Sequence, residues 1–139
     1  MDITPRKQAT AALNDQLRKN PHWKITLQTL TTLISESGHP WRITPEVSYL
    51  PQEQLSELIS KVQEFDDFTA ENDPGGAHDF GKVVQDDVDY CWKINYYDLD
   101  FQSYNVNLTD PTKTRRILIL MKAKEYSHPV YSFLSSFPG

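Results

Sequence analysis

Residues Glu71–Asp98 read ENDPGGAHDFGKVVQDDVDYCWKINYYD. A Gly/Pro-rich turn at Asp73, Pro74, Gly75 and Gly76 leads into a short apolar run, and a polar turn at Gln85–Asp87 follows. Beyond it comes the clearest alternation in the chain. Val88, Tyr90, Trp92, Ile94 and Tyr96 fall on one side, and Asp89, Cys91, Lys93, Asn95 and Tyr97 on the other. A period of two held over this length marks a half-buried strand. The spacing predicts a β-hairpin of Asp79–Val84 and Val88–Tyr97 in the middle of a sheet, with large rings inward and a polar row outward.

Working outward, Thr4-Pro5 opens a first helix, because Thr can cap and Pro suits the first helical position. Ala9, Ala12, Leu13 and Leu17 recur at helical spacing. Arg18 and Lys19 sit where a helix dipole favours cations, and Asn20-Pro21 ends the helix. His22–Ser37 fits either a helical stripe or a Thr-rich strand, and its length favours a helix. After the break at Ser37–Pro40, Trp41–Leu50 reads as a strand kinked at Pro45, which suits a sheet edge. Pro51 starts the most regular helix, with Leu55, Leu58, Ile59 and Val62 on one face and Glu53, Glu57 and Lys61 opposite, to about Glu64. Asp98–Lys113 is a polar connection. Arg116–Lys124 contains the unbroken apolar run Ile117–Met121, which suits a central strand covered on both faces. These elements predict an α+β fold: N-terminal helices, a packed helix and a mainly antiparallel sheet of about four strands.

The 139 residues fit one domain, with 20–40 as an insertion and 127–139 as a C-terminal extension. No apolar run approaches membrane-spanning length, and the first residues lack a secretion signal's apolar core. A lone Cys91 fits a reducing compartment. The expected location is the cytoplasm of a bacterial host cell, with no membrane partner.

Charge is uneven along the chain. Residues 1–50 carry 6 Lys/Arg and 4 Asp/Glu, residues 51–110 carry 3 and 14, and residues 111–139 carry 5 and 1. The acidic middle disfavours direct nucleic-acid binding and favours a basic protein partner or a cation. Solubility alone is the competing explanation.

Several pieces resemble a small bacterial family of unknown function found on plasmids and other mobile DNA. They are LNDQLRK (Leu13–Lys19), FDDFTAENDP (Phe65–Pro74), HDFG (His78–Gly81), WKINYYDLD (Trp92–Asp100), DPTKT (Asp110–Thr114) and RILILMKAKEY (Arg116–Tyr126). The chain departs from the family pattern at Ala77, where Glu is usual, at Asn95, where Asp is usual, and at Ile119, where Thr is usual. Each departure removes a charge or polar group. The resemblance implies the fold and a mobile-element origin, and it supplies no activity.

His78, Asp79 and Asp98 are the residue types for a metal or acid/base site. Adjacent residues on an extended strand point to opposite faces, however, and Asp73 and Asp79 also suit the capping of turn amides. Pro74–Gly76 lacks the glycine spacing and following helix of a phosphate loop. Cys91 has no basic neighbour in sequence to activate it beyond Lys93. No catalytic set, metal or cofactor is expected. Partner contact is expected at Asp86, Asp87, Asp89, Lys93, Asn95, Tyr97, Arg115 and Arg116. Trp23 and Trp41 bracket the insertion, as interface anchors or as local core.

Resemblance and charge together imply a non-enzymatic interaction module from mobile DNA. It would inhibit a host defence complex, in the manner of an anti-CRISPR or antirestriction protein, by meeting a basic nucleic-acid-binding surface. The alternatives are a small hydrolase or transferase using His78, Asp79 and Asp98, or a regulatory, antitoxin-like partner.

Overall fold

The computed structural model describes residues 5–19, 41–97 and 114–126, and for residues 5–7 the backbone alone. The expected helix at 22–37, the connection at 98–113, the tail from 127, and Trp23 and Asp98 lie outside the described residues. The described elements are α1 (Pro5–Lys19), β1 (Trp41–Ile43), α2 (Pro45–Ser48), α3 (Gln52–Glu64), β2 (Phe80–Gln85), β3 (Val88–Tyr97), β4 (Arg115–Lys122) and α4 (Ala123–Tyr126). The sheet order is β1-β4-β3-β2. Two of its three pairings are antiparallel and β1–β4 is parallel, so the α+β, mainly antiparallel expectation stands.

The expected hairpin forms, with β2 shifted by one residue, so that Gln85 belongs to the strand opposite Val88 and the turn is Asp86-Asp87 rather than Gln85–Asp87. It lies at one side of the described sheet rather than in its middle, because β4 pairs with β3 and β1 and leaves β2 last. Asp86 and Asp87 both take positive φ, 52° and 61°. This is the two-residue turn whose twist matches the strands, and Asp tolerates the left-handed region better than most residues. Tyr90, Trp92, Ile94 and Tyr96 join Leu118, Leu120, Trp41, Ile43 and Val47 in one core, sealed by Leu55, Leu58, Ile59 and Val62 of α3. Gly81 lies opposite Trp92, and a Cβ there would fall 2.5 Å from the indole Nε1. The absence of a side chain at 81 is what lets the ring lie against β2.

β4 is central and splits its apolar run between two faces, as expected. Leu118 and Leu120 enter the first core, while Ile117, Ile119 and Met121 form a second with Cys91, packed by Phe80, Tyr97 and Tyr126. The outward side of β3 therefore departs from the expected polar row, since Cys91 and Asn95 are buried. Asn95 lies opposite Ile117 in this second layer. A neutral amide avoids the large cost of burying a carboxylate there.

Two other expectations are corrected. The strand expected over Trp41–Leu50 ends at Ile43, and Pro45 opens the short helix α2. Proline's fixed φ and missing N–H suit a first helical turn better than a ladder position. Among the described strands β1 nevertheless lies at the edge. The buried face of α1 is Thr10, Ala11, Asn14 and Arg18, whereas Ala9 and Ala12 are exposed. Polar groups face inward because the surface that α1 meets is itself polar.

Candidate functional site

Two regions concentrate polar chemistry. The first is a network where α1 meets the loop before β2. Arg18 is 0% exposed. Its Nη1 donates to the carbonyls of Val62, Gln63 and Phe65 at 2.9, 3.2 and 2.7 Å. These carbonyls belong to the C-terminal end of α3, where backbone acceptors lack intrahelical partners and the dipole favours a cation. The arginine expected to serve its own helix thus caps another one. Its guanidinium lies 4.9 Å from the Trp92 ring and 5.4 Å from that of Phe68, and Nη2 donates to Asp15 Oδ1 at 3.1 Å. Burial lowers its pKa and Asp15 works against that shift.

Asp15 also meets His78, whose Nδ1 lies 3.0 Å from both carboxylate oxygens. The other imidazole nitrogen faces Asp73 Oδ2 at 3.7 Å. Phe68 stacks on the imidazole at 3.9 Å, nearly parallel. His78 sits in the left-handed region, φ 56°, and the amides of Ala77 and His78 donate to Asp73. Asp73 thus caps the turn as its type and position suggested.

Asp79 takes a different route. Tyr96 Oη donates to Asp79 Oδ2 at 3.0 Å and accepts from Asn14 Nδ2 at 2.8 Å. Asn14 Nδ2 also donates to the Ala77 carbonyl at 2.9 Å, and Asn14 Oδ1 accepts from Arg116 Nε at 2.8 Å. Burial, then the neighbouring Asp79 carboxylate, push the Tyr96 phenol far up. His78 and Asp79 therefore engage separate partners, though not by the alternation of an extended strand, since His78 lies before β2 in the left-handed region. No group of three or more His, Cys, Asp or Glu among the described residues could hold a metal ion.

Sequence reasoning missed Asn14, Asp15, Arg18 and Tyr96 as members of this network. A signal was present: Asn14 and Arg18 stand four apart on α1, one helical turn, and so share a face.

The second region is the hairpin end. Gln85 Nε2 donates to the Gln54 carbonyl at 2.9 Å, and Lys61 Nζ to the Val84 carbonyl at 3.2 Å. The first bond sets the hairpin end beside the first turn of α3, and the second reaches to it from the helix's last turn. Asp86 and Asp87 are exposed in the turn, Glu53 and Glu57 on the outer side of α3, and exposed Asp89 alternates with Cys91 on the sheet face turned away from α3. The link between α2 and α3 lies at the same end. Glu46 of α2 pairs with Lys122, which stands opposite Tyr90, and with Lys124. Tyr49, directly after α2, is 80% exposed.

The remaining expected contact residues divide between the faces. Tyr97 and Arg115 stand opposite each other on the face that carries Lys93 and Asn95. Arg116 stands opposite Tyr96 and turns toward α1, with its guanidinium 5.4 Å from the Tyr96 ring. Asn95 is buried, Lys93 and Tyr97 are half-buried, and Arg115 is exposed. Trp41 is fully buried core, its Nε1 donating to the Leu17 carbonyl.

Fold and surface define a small α+β module with an inward polar network and an outward acidic end. The chain belongs to a family described as protein of unknown function (DUF3768), which matches residues 43–125. Within that match lie the hairpin, α3 and His78, while α1 lies before it. No curated protein and no solved structure matches the chain. No described helix is long and apolar enough to cross a membrane.

Proposed function

We propose that the protein is a non-enzymatic interaction module whose acidic hairpin end docks on a basic protein surface. One observation carries this reading: the exposed turn carboxylates Asp86 and Asp87 close the hairpin beside the start of α3, which carries exposed Glu53 and Glu57 and follows exposed Tyr49, and exposed Asp89 adds a carboxylate on the other face of the sheet. Spaced carboxylates can occupy a groove built for phosphates, and tyrosine is a frequent interface anchor. In its finer form the partner is a host defence complex, the protein comes from mobile DNA, and the action is of the anti-CRISPR or antirestriction kind. Support for that form is the family resemblance together with the charge.

The competing hydrolase or transferase reading needs His78 available to a substrate. Its imidazole is instead held between Asp15 and Asp73 and stacked on Phe68. These contacts favour a role in positioning the loop.

The test uses immobilised protein and lysate from a bacterium carrying defence systems, with captured proteins identified by mass spectrometry. Wild type should retain a defence complex, and retention should weaken with salt as the Debye length falls from about 10 Å at 0.1 M to about 3 Å at 1 M. A variant combining Asp86→Asn, Asp87→Gly and Asp89→Asn should associate more slowly while remaining folded. Salt-independent capture, unchanged in that variant and lost in Trp23→Ala, would overturn the acidic-end reading.

A further inference from the structure

The backbone of β2 faces two ways. The Ile94 amide donates to the Asp79 carbonyl at 2.8 Å, whereas the Val84 carbonyl accepts from the Lys61 side chain. In an antiparallel ladder the direction alternates with each residue. Asp79, Gly81, Val83 and Gln85 thus bond toward β3, and Phe80, Lys82 and Val84 turn their amide and carbonyl groups away from it. Among the described residues β2 is the last strand of the sheet. Val84 is 59% exposed and Lys82 is exposed too. An edge of this kind is a template for another strand, and the Lys61 ammonium covers one of its carbonyls.

We infer that the β2 edge takes an extended, basic peptide segment of a protein partner as a fifth strand. The inference rests on the interaction-module reading and specifies its surface. Charge selects the occupant. The strand runs into the Asp86-Asp87 turn, Asp89 stands opposite Val84, and Glu57 lies one turn from Lys61 on α3. An added strand would place its basic end against these carboxylates and a β-branched residue beside Val84. One of its amides would replace the Lys61 ammonium on the Val84 carbonyl. Main-chain bonds would supply affinity, and the acidic end would set direction.

The probe is a synthetic acetyl-Arg-Lys-Val-Thr-Val amide, with a charge-reversed acetyl-Asp-Glu-Val-Thr-Val amide as control. Binding is read by calorimetry and by amide exchange on isotope-labelled wild-type protein. The basic peptide should bind and slow exchange at Lys82 and Val84, and the acidic one should not. Two further basic peptides carry backbone N-methyl groups on alternate residues, one set each. One set should lose about tenfold or more in affinity and the other should keep it, because only one edge of the added strand meets β2. Val84→Pro removes an outward amide that no described strand uses, and should weaken binding similarly with an unchanged circular dichroism spectrum. Equal binding by both N-methylated sets would reduce the contact to side-chain charge and overturn the added strand. So would a failure of the unmethylated peptide to bind. Protection of Lys82 and Val84 that grows with protein concentration in the absence of peptide would assign the edge to a second copy, again overturning it. None of these failures touches the acidic-end reading, which stands or falls on the hairpin carboxylates.

Discussion

The network around α1 and the hairpin end are both rich in carboxylates, yet they use them in opposite ways. Around α1, Asp15, Asp73 and Asp79 each have a protein partner: Arg18 and His78, the turn amides, and the Tyr96 phenol. At the hairpin, Asp86 and Asp87 in a turn fixed by its own backbone, and Asp89 on β3, are exposed to solvent. A charge whose partners lie within the chain stabilises the fold and has little left for a ligand. A solvated charge adds little to stability and is available to attract a partner. The contrast teaches that the inner carboxylates are the ones whose loss should unfold the protein, and the outer ones those whose loss should silence it.

The largest expected effect is at the centre of the network. Arg18→Ala should destabilise by about 3–5 kcal/mol, because the α3 carbonyls lose their donor and a fully buried side chain packed on Phe68 and Trp92 leaves a cavity. Urea unfolding monitored by Trp fluorescence measures it. Arg18→Lys should rescue only part, since an ammonium cannot reach three carbonyls and two rings in one plane. A wild-type midpoint for Arg18→Ala would erase the distinction between the two regions.

Trp92→Ala, a large-to-small change in the adjoining core, should also cost about 3–5 kcal/mol. Gly81→Ala tests the same contact from the other strand. Its Cβ would meet the indole at 2.5 Å, so a loss of about 1–3 kcal/mol is expected.

Alkaline titration sharpens the comparison further. Burial pushes the Cys91 thiol from its ordinary value of 9.0 up to about 12, with the Lys82 ammonium opposing. A raised value means that the folded state holds the proton more tightly than the unfolded one. The resulting stability is complete below pH 9, and is lost as pH rises toward 12 at about 1.4 kcal/mol per pH unit for one proton. Burial shifts Tyr96 in the same direction, so its loss begins near the ordinary phenol value of 10.0. Cys91→Ala should flatten the pH dependence of the unfolding midpoint between 9 and 10. Removing the hairpin acids should leave that slope unaltered.

His78→Ala should lower stability by about 1–2 kcal/mol through the Asp15 contact and the Phe68 stack, while capture of the partner persists. Folded protein that has lost all capture would instead favour the enzymatic alternative. The smallest effect belongs to the turn. Asp86→Asn with Asp87→Gly should raise stability by about 0.5–1 kcal/mol, because those residues relax the left-handed backbone, while slowing association with the partner. A variant that is stabilised and weakened in binding at once would separate the two uses of carboxylates within a single molecule.

Much of the fold was legible in the sequence. The alternation from Val88 to Tyr97, the stripe of Leu55, Leu58, Ile59 and Val62, and the apolar run Ile117–Met121 each encode their element through neighbours two to four residues away. Backbone geometry alone turns such spacing into a face. The turn was legible as a polar break at Gln85–Asp87, but its two-residue length was not, because Gln85 pairs with Val88 and belongs to the strand. What escaped was every feature whose partner lies far along the chain. Arg18 became the cap of α3 because packing brings the open carbonyls at Val62–Phe65 against α1. The polar face of α1 is buried for the same reason. Cys91 and Asn95 looked outward by alternation, but the second side of the sheet is covered too, and alternation cannot say whether a face meets water. The parallel pairing of Trp41–Ile43 with Leu118–Leu120 joins segments more than seventy residues apart. Periodicity specifies which side of an element is apolar, and only the tertiary structure decides what that side, or its opposite, is packed against.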